Sequence, residues 1–220
     1  MVESGFAIWL NTVFAGFDLG ITTAVHSLYN LAGGFFTPFF EFISFLGHDG
    51  IPLIILSLIL MLFKKTRRFG TAMLLGLAIG ALVTNCVLKV LIARARPYAD
   101  QASEYYKMWL VVGQNVESDK SFPSGHTTAA FDSMVALFLT SHRKKISWTA
   151  FIFAILMAVS RIYLVVHFPT DVIAGILVGT AAGVAGALIN AKLPPQWLEL
   201  DIIGRVIPKH KKGAHECSSR

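Results

Sequence analysis

"SRIYLVVHFPTD", residues 160–171, interrupts a strongly apolar part of the chain. ILMAV (155–159) runs into it and VIAGILVG (172–179) leaves it, so Arg161, His167 and Asp171 are polar islands. The flanks read as two membrane helices joined by a short turn. Ionisable residues in such a setting are expensive, and they are either paired structural groups or parts of a working site.

Working outward, the whole chain shares this character. Of 220 residues 55% are hydrophobic and only 15% charged, against the ~25% charge usual in soluble domains. The mean hydropathy is +0.63. The expected fold class is therefore all-α, a polytopic membrane helix bundle. Five segments approach the ~20 apolar residues that a bilayer crossing needs: 49–64, 69–92, 124–140, 146–166 and 170–191. They are continuous apolar runs without period-two alternation, which excludes a β-barrel reading. Residues 1–46 are apolar but broken by Asn11, Asp18, His26, Gly33, Gly34 and Pro38. They are expected to form one or two amphipathic, partly embedded helices or a broken sixth span. No cleaved signal peptide is expected, since no basic residue precedes the first apolar stretch. The expected division is 1–46 N-terminal helices, 47–192 transmembrane catalytic core and 193–220 basic tail. Cys86 in a span and Cys217 in the tail make no disulfide argument.

Charge distribution sets the topology. Thirteen of the nineteen basic residues fall in three groups: Lys64 to Arg68, Arg143 to Lys145, and the region from Lys192 onward. With five spans these lie on one side, expected to be the cytoplasm. The opposite side carries the loop 93–123, where Arg94, Arg96, Lys107 and Lys120 are balanced by Asp100, Glu104, Glu117 and Asp119. The net charge of +6 is thus a topology signal and no sign of nucleic-acid binding. The tail segment WLELDIIGRVI can touch anionic headgroups or simply be solvated. The expected location is the plasma membrane, with the C-terminus cytoplasmic.

Three polar clusters gather at the outer ends of the spans. In KVLIARARP (89–97), Lys89 and Arg96 stand almost two turns apart and share a face if helix continues to Pro97. In FPSGHTTAAF (122–131), Ser124 is an N-cap with Gly125 and His126 in the first turn, and free amides at a helix N-terminus suit a phosphate. In the opening stretch Pro169 starts a helix with Asp171 in its first turn, and His167 can fold back toward that carboxylate, which would fix its tautomer. Each cluster has a plainer reading as snorkelling side chains, a cap, and a buried His–Asp bond. Together they place three cations, a helix N-terminus, two histidines and a carboxylate on one side. That set suits phosphoryl transfer, in which positioning and charge neutralisation dominate, with one histidine attacking phosphorus and one protonating the leaving oxygen.

In these residues the sequence resembles the phosphatidic acid phosphatase type 2 superfamily. Lys89, Arg96 and Pro97 match its Lys-x6-Arg-Pro signature, Pro123 to His126 its Pro-Ser-Gly-His signature, and Ser160, Arg161, His167 and Asp171 its Ser-Arg-x5-His-x3-Asp signature. The resemblance implies that His167 is the nucleophile supported by Asp171, that His126 is the general acid, and that Lys89, Arg96, Ser124, Gly125 and Arg161 hold the phosphate. It also implies no metal and no cofactor. The implied activity is hydrolysis of a lipid phosphomonoester or pyrophosphate through a phosphohistidine. Undecaprenyl pyrophosphate is the leading substrate, with phosphatidylglycerol phosphate and phosphatidic acid as alternatives. Expected partners are the phospholipid or polyprenyl phosphate substrate and the bilayer, with no obligate protein partner and no nucleic acid. The family's membrane members usually have six spans, so the short N-terminal region departs from the pattern. Tyr98, Tyr105, Tyr106 and Trp109 read as a headgroup wall or as interfacial anchors. A transporter would place polar residues mid-span and show an internal repeat. A non-catalytic lipid-binding protein would lack one of the histidines. Neither mark is present.

Overall fold

The computed structural model describes residues 3–141, 144–194 and 196. Arg143 and the tail segment 197–220, including Cys217, lie outside the described residues. Among those described, the regular structure is entirely helical.

The N-terminal region forms α1 (Gly5–Val13) and α2 (Ala15–Ala32), bent by 64° at Phe14. Ser4 caps α1, its Oγ accepting from Ala7 N at 3.1 Å. The two pieces together are apolar enough to be one broken span. Asp18, Thr22 and His26 recur every four residues and are the buried positions of α2, a polar stripe turned inward rather than an apolar one.

The next span starts earlier than the sequence reading placed it. Helix α3 (Thr37–Phe45) and α4 (Ile51–Leu62) together form the apolar stretch Thr37–Leu62 rather than 49–64. Pro38 sits in the first turn of α3, where a missing N–H leaves nothing unsatisfied. The kink between the two is taken up by Asp49 and Gly50 at φ 50° and 70°.

Helix α5 (Arg67–Ala81) continues through a π-helical stretch, Leu82–Leu88, into the short α6 (Lys89–Ile92). Arg67, counted with the loop charges in the sequence, is buried instead. Its guanidinium donates to Met61 O at 2.8 Å and Leu62 O at 3.4 Å, satisfying carbonyls at the end of α4. After a loop bearing α7 (Glu104–Val111) come α8 (Gly125–Thr140), α9 (Lys144–Tyr163) and α10 (Pro169–Ala191).

All five expected apolar segments are helical, but among the described residues only Thr37–Leu62, Arg67–Ala99 and Pro169–Ala191 meet the length and hydropathy of a full crossing. Helix α8 has 16 residues, about 24 Å. It carries Ser133, Asp132, Thr127 and Thr128 because it is the central post and faces protein on most sides.

Lipid tails are as apolar as leucine, so helices in a bilayer associate through close packing of small residues. Helix α10 packs on α8 and α5 in this way. A Cβ on Gly186 would stand 2.6 Å from Gly76 N and 2.7 Å from Ala72 O. One on Gly179 would stand 2.5 Å from Thr128 O. These backbones touch, which fixes the relative height of the three helices and of the loops at their outer ends.

Candidate active site

Lys89 and Arg96 do converge, but not along one helix. Helix α6 stops at Ile92 because Ala93 turns left-handed, at φ 52°, and Pro97 holds Arg96 extended at φ −76°, ψ 154°. Within the preceding helix the step from buried Thr84 to buried Lys89 is five residues. That step matches the wider turn of the π stretch, a feature frequent at functional sites.

Ser124 caps α8 as expected. Its Oγ accepts from Thr127 N at 3.4 Å and from Thr127 Oγ1 at 2.9 Å. Gly125 leaves room above the helix end, and a Cβ there would lie 3.4 Å from Lys89 Nζ. The ammonium is thus poised over the first amides of α8. His126 follows, buried, with the His48 ring 6.1 Å away.

His167 is delivered by a strained turn. Helix α9 closes with Val166 N and His167 N both donating to Arg161 O, and Val165, just before them, adopts φ 54°. A β-branched residue in that region costs about 1–3 kcal/mol and persists only where its surroundings impose it. The turn aims the Val166 carbonyl and the His167 ring at Arg96, whose Nη1 lies 2.8 Å from the first and 2.9 Å from His167 Nε2. His167 Nδ1 lies 3.7 Å from Asp171 Oδ2, longer than a hydrogen bond, and makes no bond of its own. Burial holds the His167 imidazole well below the usual histidine range, and Arg96, Arg161 and Lys89 push it the same way.

Asp171 is fully buried at the start of α10, as expected. It accepts from Phe168 N at 3.0 Å, Ser121 Oγ at 2.5 Å and Arg94 Nη1 at 2.6 Å. None of these three partners was anticipated; the sequence pointed only to His167. Arg94 read as one loop charge among several, yet it is fully buried.

Glu117 and Asp119 are further residues that the sequence did not single out. Asp119 pairs with both Lys89 and Arg96, and Glu117 with Arg161, which also reaches Ser44. Burial alone would raise the Asp119 carboxyl, but the bonds and charges of Lys89 and Arg96 outweigh it and hold it below the usual range. Part of the charge balance visible in the loop 93–123, that of Arg96, Glu117 and Asp119, is therefore held in specific pairs at the site, whereas Lys107 and Glu104 pair at the surface. Trp109 of the same loop is buried, stacked on Tyr98 at 4.7 Å, and packs with Val165 and Val166. These aromatics form an ordered cap rather than interfacial anchors.

Lys89, Arg96, Gly125, His126 and His167 line one cavity of about 410 Å³, together with Glu117 and Asp119. Ser124, Arg161 and Asp171 stand behind its wall, and Arg161 reaches it through Glu117. Another part of the wall is apolar, built from Ile54, Leu74, Leu77 and Ala78. A cationic cradle, two histidines and an apolar extension suit an amphiphile with an anionic head.

The family model of the PAP2 superfamily matches residues 69–194, which contain every one of these cradle residues. The chain belongs to the PAP2 superfamily. Among similar proteins, an undecaprenyl-diphosphatase of Sulfolobus acidocaldarius is 33% identical over 142 residues, 64% of this chain and 65% of that protein. The phosphatidylglycerophosphatase B of Bacillus subtilis is 36% identical over 138 residues, 59% of this chain and 62% of that protein. The chain thus spans a little under two thirds of the length of these curated relatives. The crystal structure of a transmembrane PAP2-type phosphatidylglycerolphosphate phosphatase from Bacillus subtilis superposes with a TM-score of 0.65 at 27% identity, covering 86% of this chain and 92% of that one. LpxE of Aquifex aeolicus shares the PAP2 fold, with a TM-score of 0.55 at 24% identity over 76% of this chain and 93% of that one.

Proposed function

We propose that this PAP2 protein is a lipid phosphatase that cleaves a terminal phosphate through a phosphohistidine. The observation that carries the reading is the convergence of His167 Nε2, Arg96, Lys89 and His126 on one cavity with an apolar extension. The terminal phosphate displaces Asp119 and Glu117 and takes their cations. Arg96 then turns from His167 Nε2 to a phosphate oxygen, and the freed lone pair attacks phosphorus. As the N–P bond forms and the P–O bond to the lipid breaks, the proton on His126 passes to the leaving oxygen. His126 next takes a proton from a water that attacks phosphorus, which cleaves the N–P bond and restores His167. Lys89, Arg96, Arg161 and the amides of Gly125 and its neighbours neutralise the charge on the phosphoryl oxygens. Ser124 contributes by capping the helix that presents those amides.

Undecaprenyl pyrophosphate is the leading substrate, supported by the named activity of the archaeal relative. Phosphatidylglycerol phosphate is the second reading, favoured by the Bacillus structure. The basic residues Lys64 and Lys65 between α4 and α5 support a reading in which the opposite end of the bundle, with the site, faces the extracytoplasmic side.

The test is phosphate release by detergent-purified protein in excess EDTA, from undecaprenyl pyrophosphate, phosphatidylglycerol phosphate and phosphatidic acid. His167→Ala runs alongside. Release that survives EDTA and disappears in the variant is expected, with undecaprenyl pyrophosphate turned over fastest. Full activity in His167→Ala would overturn the mechanism. A different ranking would overturn the substrate.

A further inference from the structure

The guanidinium of Arg94 uses four contacts at once. Nε donates to Asn11 Oδ1 at 2.8 Å, Nη1 to Thr170 Oγ1 at 2.7 Å and to Asp171 Oδ1 at 2.6 Å, and Nη2 to Asp18 Oδ2 at 3.0 Å. Its Cζ stands 3.9 Å from the centroid of the Phe168 ring. Asp18 also accepts from Thr170 N at 2.9 Å and Thr170 Oγ1 at 2.8 Å, so it occupies the N-terminus of α10. Arg94, Asp18 and Asp171 are each 1% exposed or less. A buried cation shared between two carboxylates is costly unless its geometry is met in full, and here it is. Neither Arg94 nor Asp18 lines the cavity that holds Lys89 and His167.

We propose that Arg94, held in place by Asp18 of the N-terminal helix, is the positioning residue that orients Asp171 behind His167 and sets the charge the pair carries. The proposal rests on the phosphohistidine reading. Asp171 has one oxygen toward Arg94 and the other toward Ser121, Phe168 N and the His167 ring. Arg94 therefore decides how much negative charge the imidazole faces, and Asp18 decides how much of the Arg94 charge is left for Asp171. The bent helix α1–α2 is by this route a working part of the site.

Neutralising Arg94 and neutralising Asp18 then act in opposite senses. Without Arg94, Asp171 faces His167 uncompensated, and the pair takes up its proton at higher pH. Without the Asp18 charge, Arg94 compensates Asp171 more fully, and the pair takes up its proton at lower pH. Lys89, Arg96 and Arg161 face the pair from the cradle side, His126 from α8, Asp119 and Glu117 from the loop, and Tyr105 from α7. All are unchanged in both variants. Tyr105, pushed up to about 12 by burial and then by Asp18, stays protonated throughout.

The experiment measures kcat/KM for dioctanoyl phosphatidic acid against pH, expressed per substrate dianion, for the wild type, Arg94→Gln, Arg94→Lys, Asp18→Asn and His167→Ala. Arg94→Gln is expected to lose on the order of 10²-fold in kcat, as for a small misplacement at the reacting centre, with KM within about twofold because Arg94 does not touch the phosphate. Its acid limb moves up by about one pH unit, the effect of one charge at this distance, and that of Asp18→Asn moves down. Arg94→Lys restores the limb but not kcat, since an ammonium cannot make the forked contacts. Limbs that stay in place, or move the same way, overturn the proposal. If Arg94→Gln does not fold, the isosteric Asp18→Asn decides alone, a downward limb supporting the proposal and an unmoved one overturning it. Activity in His167→Ala would instead remove the phosphohistidine reading, and the role of Arg94 with it.

Discussion

Arg96 Nη1 lies 2.9 Å from Nε2 of His167. A guanidinium only donates, so Nε2 accepts and the neutral ring carries its proton on Nδ1, on the side of Asp171. The nitrogen turned to the cradle is thus the unprotonated one, whose lone pair becomes available once Arg96 turns to another acceptor, which is the arrangement a nucleophile needs.

The first prediction concerns pH. His167 titrates well below 6.5, because of burial first and the surrounding cations second. Per substrate dianion, kcat/KM is expected to stay flat as pH falls through 6.5 and to drop only at lower pH. Stability follows the same sign. Between the folded and unfolded values the unfolded chain binds the proton and the folded chain does not, so stability falls as pH falls below 6.5. Thermal unfolding in detergent at a series of pH values reads the second effect. An activity limb at or above 6.5 would contradict the neutral, buried His167.

Asp119 pairs with Lys89 and Arg96, and on the proposed reading it competes with the phosphate for them. Its side chain is 48% exposed, so solvent screening limits the pair to ~1 kcal/mol or less. Asp119→Asn is expected to lower KM by about two- to fivefold with kcat little changed, as measured by initial rates at fixed ionic strength. A raised KM would mean that the carboxylate assists substrate binding.

Gly186 meets backbone atoms of Gly76 and Ala72 that cannot move aside alone. Gly186→Val is expected to lose about 1–3 kcal/mol through overpacking, read as a lower unfolding midpoint. The surviving folded protein should keep its KM. An unchanged midpoint would show that α5 and α10 are not in backbone contact.

The parts of the site legible in the sequence are those in which local spacing has a physical meaning. Pro169 with Asp171, and Ser124 with Gly125, announce helix starts by chemistry that acts within four residues. Lys89 and Arg96 were found together, but for the wrong geometric reason, since the helix between them ends at Ala93. Arg94 was not legible, because its value comes from Asp18, 76 residues away, and the chain carries no local mark of that pairing. Glu117 and Asp119 were counted only as a balance of charge. In the fold, the polar residues Asp18, Thr22 and His26 left the N-terminal region readable either as amphipathic helices or as a broken span, and α1 and α2 together are apolar enough for the second.

The cavity wall includes Ala78, Ala81 and Asn85, exposed residues on the flank of the α5 helix. A head group can be held in the cradle while its chain stays among the bilayer lipids beside that flank. On the proposed reading, the enzyme meets its substrate by diffusion in two dimensions. Its rate is then governed by the mole fraction of substrate in the surface, and diluting that surface with inert lipid or detergent slows turnover even when the amount of substrate per volume is unchanged.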